Sequence, residues 1–159
     1  RKLIAEHENS HSEFKSSARW NYKKNGQDAA MELAVVKTVA GFLNAKGGTL
    51  LIGVDDDGQV LGLDNDYKIT PKGNKDGFEL WLSNTFMSCL GKTESLGLQT
   101  SFAAIDGKDI CLVEVQPSSK PVFVNAPKSK VEDEFYVRMN NQTQRLSKSE
   151  LLDYEKSRW

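Results

Sequence analysis

The stretch Ala40-Gly41-Phe42-Leu43-Asn44-Ala45-Lys46-Gly47-Gly48-Thr49-Leu50-Leu51-Ile52-Gly53-Val54-Asp55-Asp56-Asp57-Gly58 decides the fold. It closes a helix, turns tightly and opens a strand. Upstream of it, Leu33, Val36, Ala40 and Leu43 recur at helical spacing, and Val35, Val39 and Phe42 widen the stripe, which predicts a helix over 29–44. Asp28 stands where a carboxylate can accept from the first free N–H groups of that helix. Gly47-Gly48 ends it, since glycine takes the left-handed conformation at a helix C-terminus without a Cβ clash. The apolar run 49–54 then predicts a central strand buried on both faces. Asp57-Gly58 is a hairpin signal, with 60–63 as the return strand.

Working outward, 12–17 suits a short strand around Phe14, and 21–27 a polar loop. Residues 64–75 read as loop. Phe78, Leu82, Phe86 and Leu90, four apart, predict a second helix over 76–90. Segments 99–105 and 109–115 alternate like strands joined at Asp106-Gly107, and 122–125 and 134–139 are two more. Ser147 with Glu150 forms a capping-box signature for a last helix. The expected fold is α+β, with about six strands and about three helices, a mixed, mostly antiparallel sheet flanked by helices. No repeat or linker divides the 159 residues, so 1–159 reads as one domain. It begins on Arg1, which suggests a piece excised from a longer protein with further domains.

Apolar residues make up 38% and charged residues 27%, a balance that excludes a mainly disordered chain. The formal net charge of −1 excludes strong whole-surface attraction to nucleic acid but leaves room for a local basic face. No apolar run reaches the roughly 20 residues of a membrane span, so no membrane partner is expected. Cys89 and Cys111 have no CxxC spacing, which argues against structural zinc; they read as buried free thiols of a cytoplasmic protein.

Several motifs fail on context. Gly91-Lys92-Thr93 resembles the tail of a phosphate-binding loop, but that pattern needs glycine where Phe86 stands, and the segment follows a helix; no ATP site is expected. Gly47-Gly48 lies between helix and strand, the reverse of a dinucleotide fingerprint. His7-Glu8-Asn9-Ser10-His11 fits the letter of a zinc-protease motif, yet its polar setting and the lack of a third ligand argue against it. Glu8 and Glu13 lie five apart, and Asp55 to Asp57 cluster at the end of the central strand. Converging carboxylates can hold Mg²⁺ or Mn²⁺ for phosphodiester cleavage; the alternative is a polar turn and lysine pairing. Lys15, Arg19, Lys23 and Lys24 are interleaved with Trp20 and Tyr22, a combination that can contact phosphates and stack on bases. Arg138, Asn140, Asn141, Thr143 and Arg145 suggest a second polar, cationic lip.

The stretch 8–15 resembles the Glu-Ser-x-x-x-Glu-Phe-Lys opening of Schlafen-type AlbA domains. The stretch 40–58 resembles that family's helix–glycine–strand signature, and 135–151 is similar to its closing segment. Asn9, Ser12 and the extra Gly41 depart from the pattern, and the family's His/Cys zinc motif has no counterpart. The resemblance implies an α/β domain that binds DNA or RNA, often at the start of a regulator-like protein. Some animal members cleave RNA in a two-lobed cleft with three acids and a divalent metal; those acids map onto Glu8, Glu13 and Asp56. With one lobe here, such a cleft would need a homodimer.

Three expectations follow. In the first, the domain binds nucleic acid through Lys15, Arg19, Lys23, Lys24 and Arg138, with Trp20 or Tyr22 stacking. In the second, it is a metal-dependent endoribonuclease with Mg²⁺ or Mn²⁺ on Glu8, Glu13 and Asp56, and Glu13→Ala abolishes cleavage while leaving binding and folding nearly intact. In the third, it is a protein-interaction domain that pairs through a sheet edge.

Overall fold

A computed structural model describes all 159 residues, Arg1–Trp159. The elements are α1 (Lys2–Ala5), β1 (Ser12–Lys15), β2 (Trp20–Asn21), β3 (Gly26–Gln27), α2 (Ala29–Leu43), β4 (Gly48–Ile52), α3 (Asp64–Lys68), α4 (Lys75–Leu90), α5 (Lys92–Ser95), β5 (Leu98–Ile105), β6 (Lys108–Val115), β7 (Phe123–Ala126), β8 (Val131–Met139), β9 (Gln142–Leu146) and α6 (Lys148–Arg158). No helix is long and apolar enough to cross a membrane.

The fold is α+β, as expected, and the strands divide between two sheets and a small ribbon. The main sheet has the order β1-β4-β6-β5; β1 and β4 are parallel and the other pairs antiparallel. A second antiparallel sheet has the order β7-β8-β9, and β2 pairs with β3. β4 is central and alternates as a strand must. Leu50 and Ile52 enter the larger core with α2 and α4, while Leu51 and Val54 enter a smaller cluster with Phe14, Ile105 and Ile110. The expectation of burial on both faces holds. α2 lies between the two sheets and buries Val35, Val36, Val39, Ala40, Phe42 and Leu43.

Asp28 caps α2 through Ala30 N–H at 3.0 Å, and Ser147 with Glu150 makes the expected capping box. Gly47 has φ +77°, and a Cβ there would lie 2.5 Å from the Val115 carbonyl oxygen, so only glycine fits the turn into β4. Both cysteines are free, Cys111 buried and Cys89 half-buried.

Four expectations need correction. Residues 60–63 form no strand: only Val54 and Val60 bridge, because Leu61 and Gly62 both donate to the Gly53 carbonyl. The segment 64–75 is not all loop, since it holds α3. The loop 21–27 folds into the β2–β3 ribbon. The count of about six strands is too low: among the additions, residues 142–146 of the polar lip after Arg138 form strand β9, paired with β8 from Phe135↔Leu146 to Met139↔Gln142.

Candidate functional site

The parallel pairing of β1 with β4 sets Glu13 beside Leu50 and Lys15 beside Ile52, and β4 leads into the turn bearing Asp56. Glu13 is 8% exposed. Its Oε1 accepts from an Arg138 guanidinium nitrogen at 2.5 Å, and its Oε2 lies 3.5 Å from Lys15 Nζ. Arg138 reaches this point from β8. Its other terminal nitrogen donates to the carbonyls of Asn9 at 2.8 Å and Ser12 at 3.1 Å, and its guanidinium carbon lies 5.1 Å from the Phe42 ring centroid. The Arg138 side chain is 2% exposed. The phosphate contact expected of Arg138 is therefore corrected: its side chain is buried and both terminal guanidinium nitrogens are bonded inside the protein, tying the second sheet to the N-terminal segment.

Glu8 joins the group from the N-terminal segment. Its Oε1 accepts from the Phe14 N–H at 3.1 Å. Burial, and after it the charge of Glu13, raises its pKa above the ordinary carboxylate value; Asp56 adds to the rise, and the Phe14 amide and Lys15 oppose it. The fold thus brings Glu8, Glu13, Asp56 and Lys15 within electrostatic reach at one end of the main sheet.

These acids do not fit a divalent metal as they are arranged. Glu13 is already neutralised by two cations, one Glu8 oxygen is held by an amide, and Asp56 is exposed on its turn. No three His, Cys, Asp or Glu side chains group closely enough to hold a metal ion. The His7–His11 stretch is not helical, and His7 has φ +60°, so it does not present two ligands on one helix face.

The raised pKa of Glu8 gives a signed expectation. A carboxyl that binds its proton more tightly in the folded state favours folding at low pH, and that contribution is lost as pH rises through the folded pKa. Glu8→Gln keeps an acceptor for Phe14 N–H and removes repulsion with Glu13 and Asp56. It should raise thermal stability at pH 7 by about 0.5 kcal/mol, a modest figure because the group is partly solvated. The gain should shrink as pH falls through the raised pKa of Glu8 and be gone below the ordinary carboxylate value of 4.5. Thermal melts of both proteins across pH 3.5–7 check this; a gain independent of pH would contradict the electrostatic cause.

A groove of about 850 Å³ opens beside Glu13 between β1, α2 and the β8–β9 hairpin. Lys15, Lys37, Lys130 and Arg145 line it, with Asn141 and Thr143 among its polar groups. Its second acid, Glu134, lies 3.7 Å from Arg145 and accepts from the Tyr136 hydroxyl. Burial, then the bond to Glu134, raises the Tyr136 pKa, which keeps the phenol protonated. Lys37 Nζ lies 5.1 Å from the Tyr136 ring centroid and so covers it.

The expected cationic set is divided by the fold. Lys15 lines the groove together with Asn141, Thr143 and Arg145 of the expected second lip. Arg19, Trp20, Lys23 and Lys24 do not line it. Arg19 packs over Trp81 at 4.5 Å from the ring centroid, with Glu32 at 3.9 Å. Lys24 is exposed and lies 3.3 Å from Asp28. The stretch from Ser17 to Arg19 is held by the buried Asp66, which accepts from the Ser17 hydroxyl at 2.8 Å and the Arg19 N–H at 3.0 Å. Lys37 and Lys130 were not singled out from the sequence. Lys37 is the one basic residue of α2, which marks the side of an apolar helix that meets water.

A family model described as Schlafen, AlbA_2 matches residues 8–147. The crystal structure of the DIP2311 protein from Corynebacterium diphtheriae matches with a TM-score of 0.63 at 16% identity, covering 94% of this chain and 24% of that one. This chain therefore spans about a quarter of that protein's length. The solution structure of the N-terminal domain of a RecG-related protein from Nitrosomonas europaea, named for a DNA helicase, matches with a TM-score of 0.56 at 24% identity, covering 92% of each chain. These are likenesses of fold. No curated protein matches the chain.

Proposed function

The chain belongs to the Schlafen AlbA_2 family, and from that premise we propose that it is a nucleic-acid-binding module of a larger protein. The observation that carries this reading is the convergence of Lys15, Lys37, Lys130 and Arg145 on one groove in a chain whose net charge is −1. The acids of the groove, Glu13 and Glu134, are each paired with a cation, so the remaining basic groups face an incoming phosphate with little local opposition. Ammonium and guanidinium groups take the phosphodiester oxygens, and the amide of Asn141 and the hydroxyl of Thr143 add neutral contacts.

Binding of labelled RNA and DNA should weaken steeply with salt, because each neutralised phosphate releases a counterion. Lys37→Ala and Arg145→Ala should each weaken affinity for all sequences alike and make the salt slope shallower by about 1. Lys23→Ala should change neither. Titrations at several salt concentrations read this directly; a flat salt response in the unaltered chain would remove the proposal.

A further inference from the structure

The main sheet ends on β5, which has β6 on one side and no strand on the other. β5 is eight residues long, Leu98–Ile105, and pairs with β6 from Leu98↔Val115 to Ile105↔Lys108 without a register shift. Its sequence, Leu-Gln-Thr-Ser-Phe-Ala-Ala-Ile, holds no charge, no proline and no glycine. Edge strands of monomers are usually blunted by charge, proline, bulges or short length, and β5 has none of these. Exposed apolar groups gather at the same place. Leu80 is 53% exposed in the cleft it shares with Leu98 and Thr100, and Leu96, two residues before the strand, is 82% exposed.

We propose that β5 pairs antiparallel with β5 of a second copy of this chain, joining two four-stranded sheets into one continuous eight-stranded sheet. Self-pairing around a two-fold axis near Ser101 or Phe102 sets the strand against itself. Because the strand is neutral, no like charges meet between the two paired strands themselves; the acids Asp76 and Glu79 lie beside it on the cleft with Leu80. The pairing leaves like faces on the same side, so the partly buried Phe102 and the exposed Leu80 sides of both copies lie together. The assembly also closes at two chains. The other edge, β1, is only four residues long and carries Glu13 and Lys15, with Arg138 bonded to the Ser12 carbonyl, so it offers no second neutral edge on which a filament could grow. The geometry does not depend on nucleic acid, and it leaves the groove beside α2 and β9 open.

Sedimentation equilibrium of the chain across a concentration series is the test. The mass should rise from 17.7 kDa to twice that. Added salt should leave the dimer in place while it weakens nucleic-acid binding, which separates failure here from failure of the groove. Ser101→Lys with Ala103→Lys places like charges on the exposed side of the edge and should return the chain to a monomer with an unchanged circular dichroism spectrum. A folded Lys37→Ala variant should stay dimeric. A monomer throughout the concentration series, or a dimer that survives the lysine pair, overturns the proposal. Should the lysine pair unfold the chain, amide exchange of the unaltered protein decides: protection of β5 must rise with concentration, and constant protection overturns it.

Discussion

Replacing Glu13 with alanine will lower stability by about 3–5 kcal/mol, the usual effect of removing one partner of a buried ion pair. The reason lies in what remains. Arg138 would keep its bonds to the Asn9 and Ser12 carbonyls and lose its nearest counter-charge, with its side chain 2% exposed and its Nε without a hydrogen-bond partner. Water cannot take over from the carboxylate without opening the contact between β8 and the N-terminal segment. With a urea slope of about 1–3 kcal/mol per molar, the midpoint should fall by at least about 1 M. Glu13→Gln keeps an acceptor and should cost less. Glu13→Leu combined with Arg138→Met should recover much of the loss, since a packed apolar pair needs no counter-charge. A midpoint for Glu13→Ala within experimental error of the parent would contradict this account. The expectation that Glu13→Ala leaves the fold nearly intact is therefore replaced, and loss of any activity in that variant reports on folding before it reports on chemistry.

The same residue shows how far the sequence reached. The helix–glycine–strand block was legible because each of its parts has a local cause: an apolar stripe, a glycine turn and a run buried on both faces. α2, β4, α4, β5, β6 and the cap of α6 follow from such local signals. α3 and β9 did not, because Asp64–Lys68 and Gln142–Leu146 are polar and are held by tertiary contacts and ladder hydrogen bonds rather than by an apolar period of their own. At the site, the sequence could place Glu13 and Lys15 on one strand, but it could not show that an arginine 125 residues away is bonded to Glu13. A basic residue in a polar setting reads as exposed; only the packing of β8 against the N-terminal segment turns Arg138 inward. Lys37 was hidden for the opposite reason, as one cation within an apolar helix.

Asn44→Leu should be at least as damaging as Glu13→Ala, although Asn44 bears no charge. Asn44 is fully buried at the C-terminal end of α2. Its amide nitrogen donates to the carbonyls of Val122 at 2.9 Å and Tyr136 at 2.8 Å, and its amide oxygen accepts from the Val122 N–H at 2.8 Å. One side chain thus satisfies three backbone groups from the segment entering β7 and from β8, and so ties the helix to the second sheet. Leucine shares the branching of the amide and leaves no cavity, but it is larger, so some overpacking adds to the hydrogen-bond loss. Each orphaned buried group costs about 1–3 kcal/mol, so the total is at least about 3 kcal/mol, comparable to the whole stability of many small domains. Asn44→Asp separates the parts further. It keeps the acceptor for Val122 N–H, loses both donors and faces two carbonyls with a negative charge, so at neutral pH it should be no better than leucine and should recover as the carboxyl is protonated. Amide exchange gives the local readout: Val122 N–H should lose its protection in the leucine variant even under conditions where β6 remains protected. Retention of that protection in Asn44→Leu would show that the second sheet docks without this side chain.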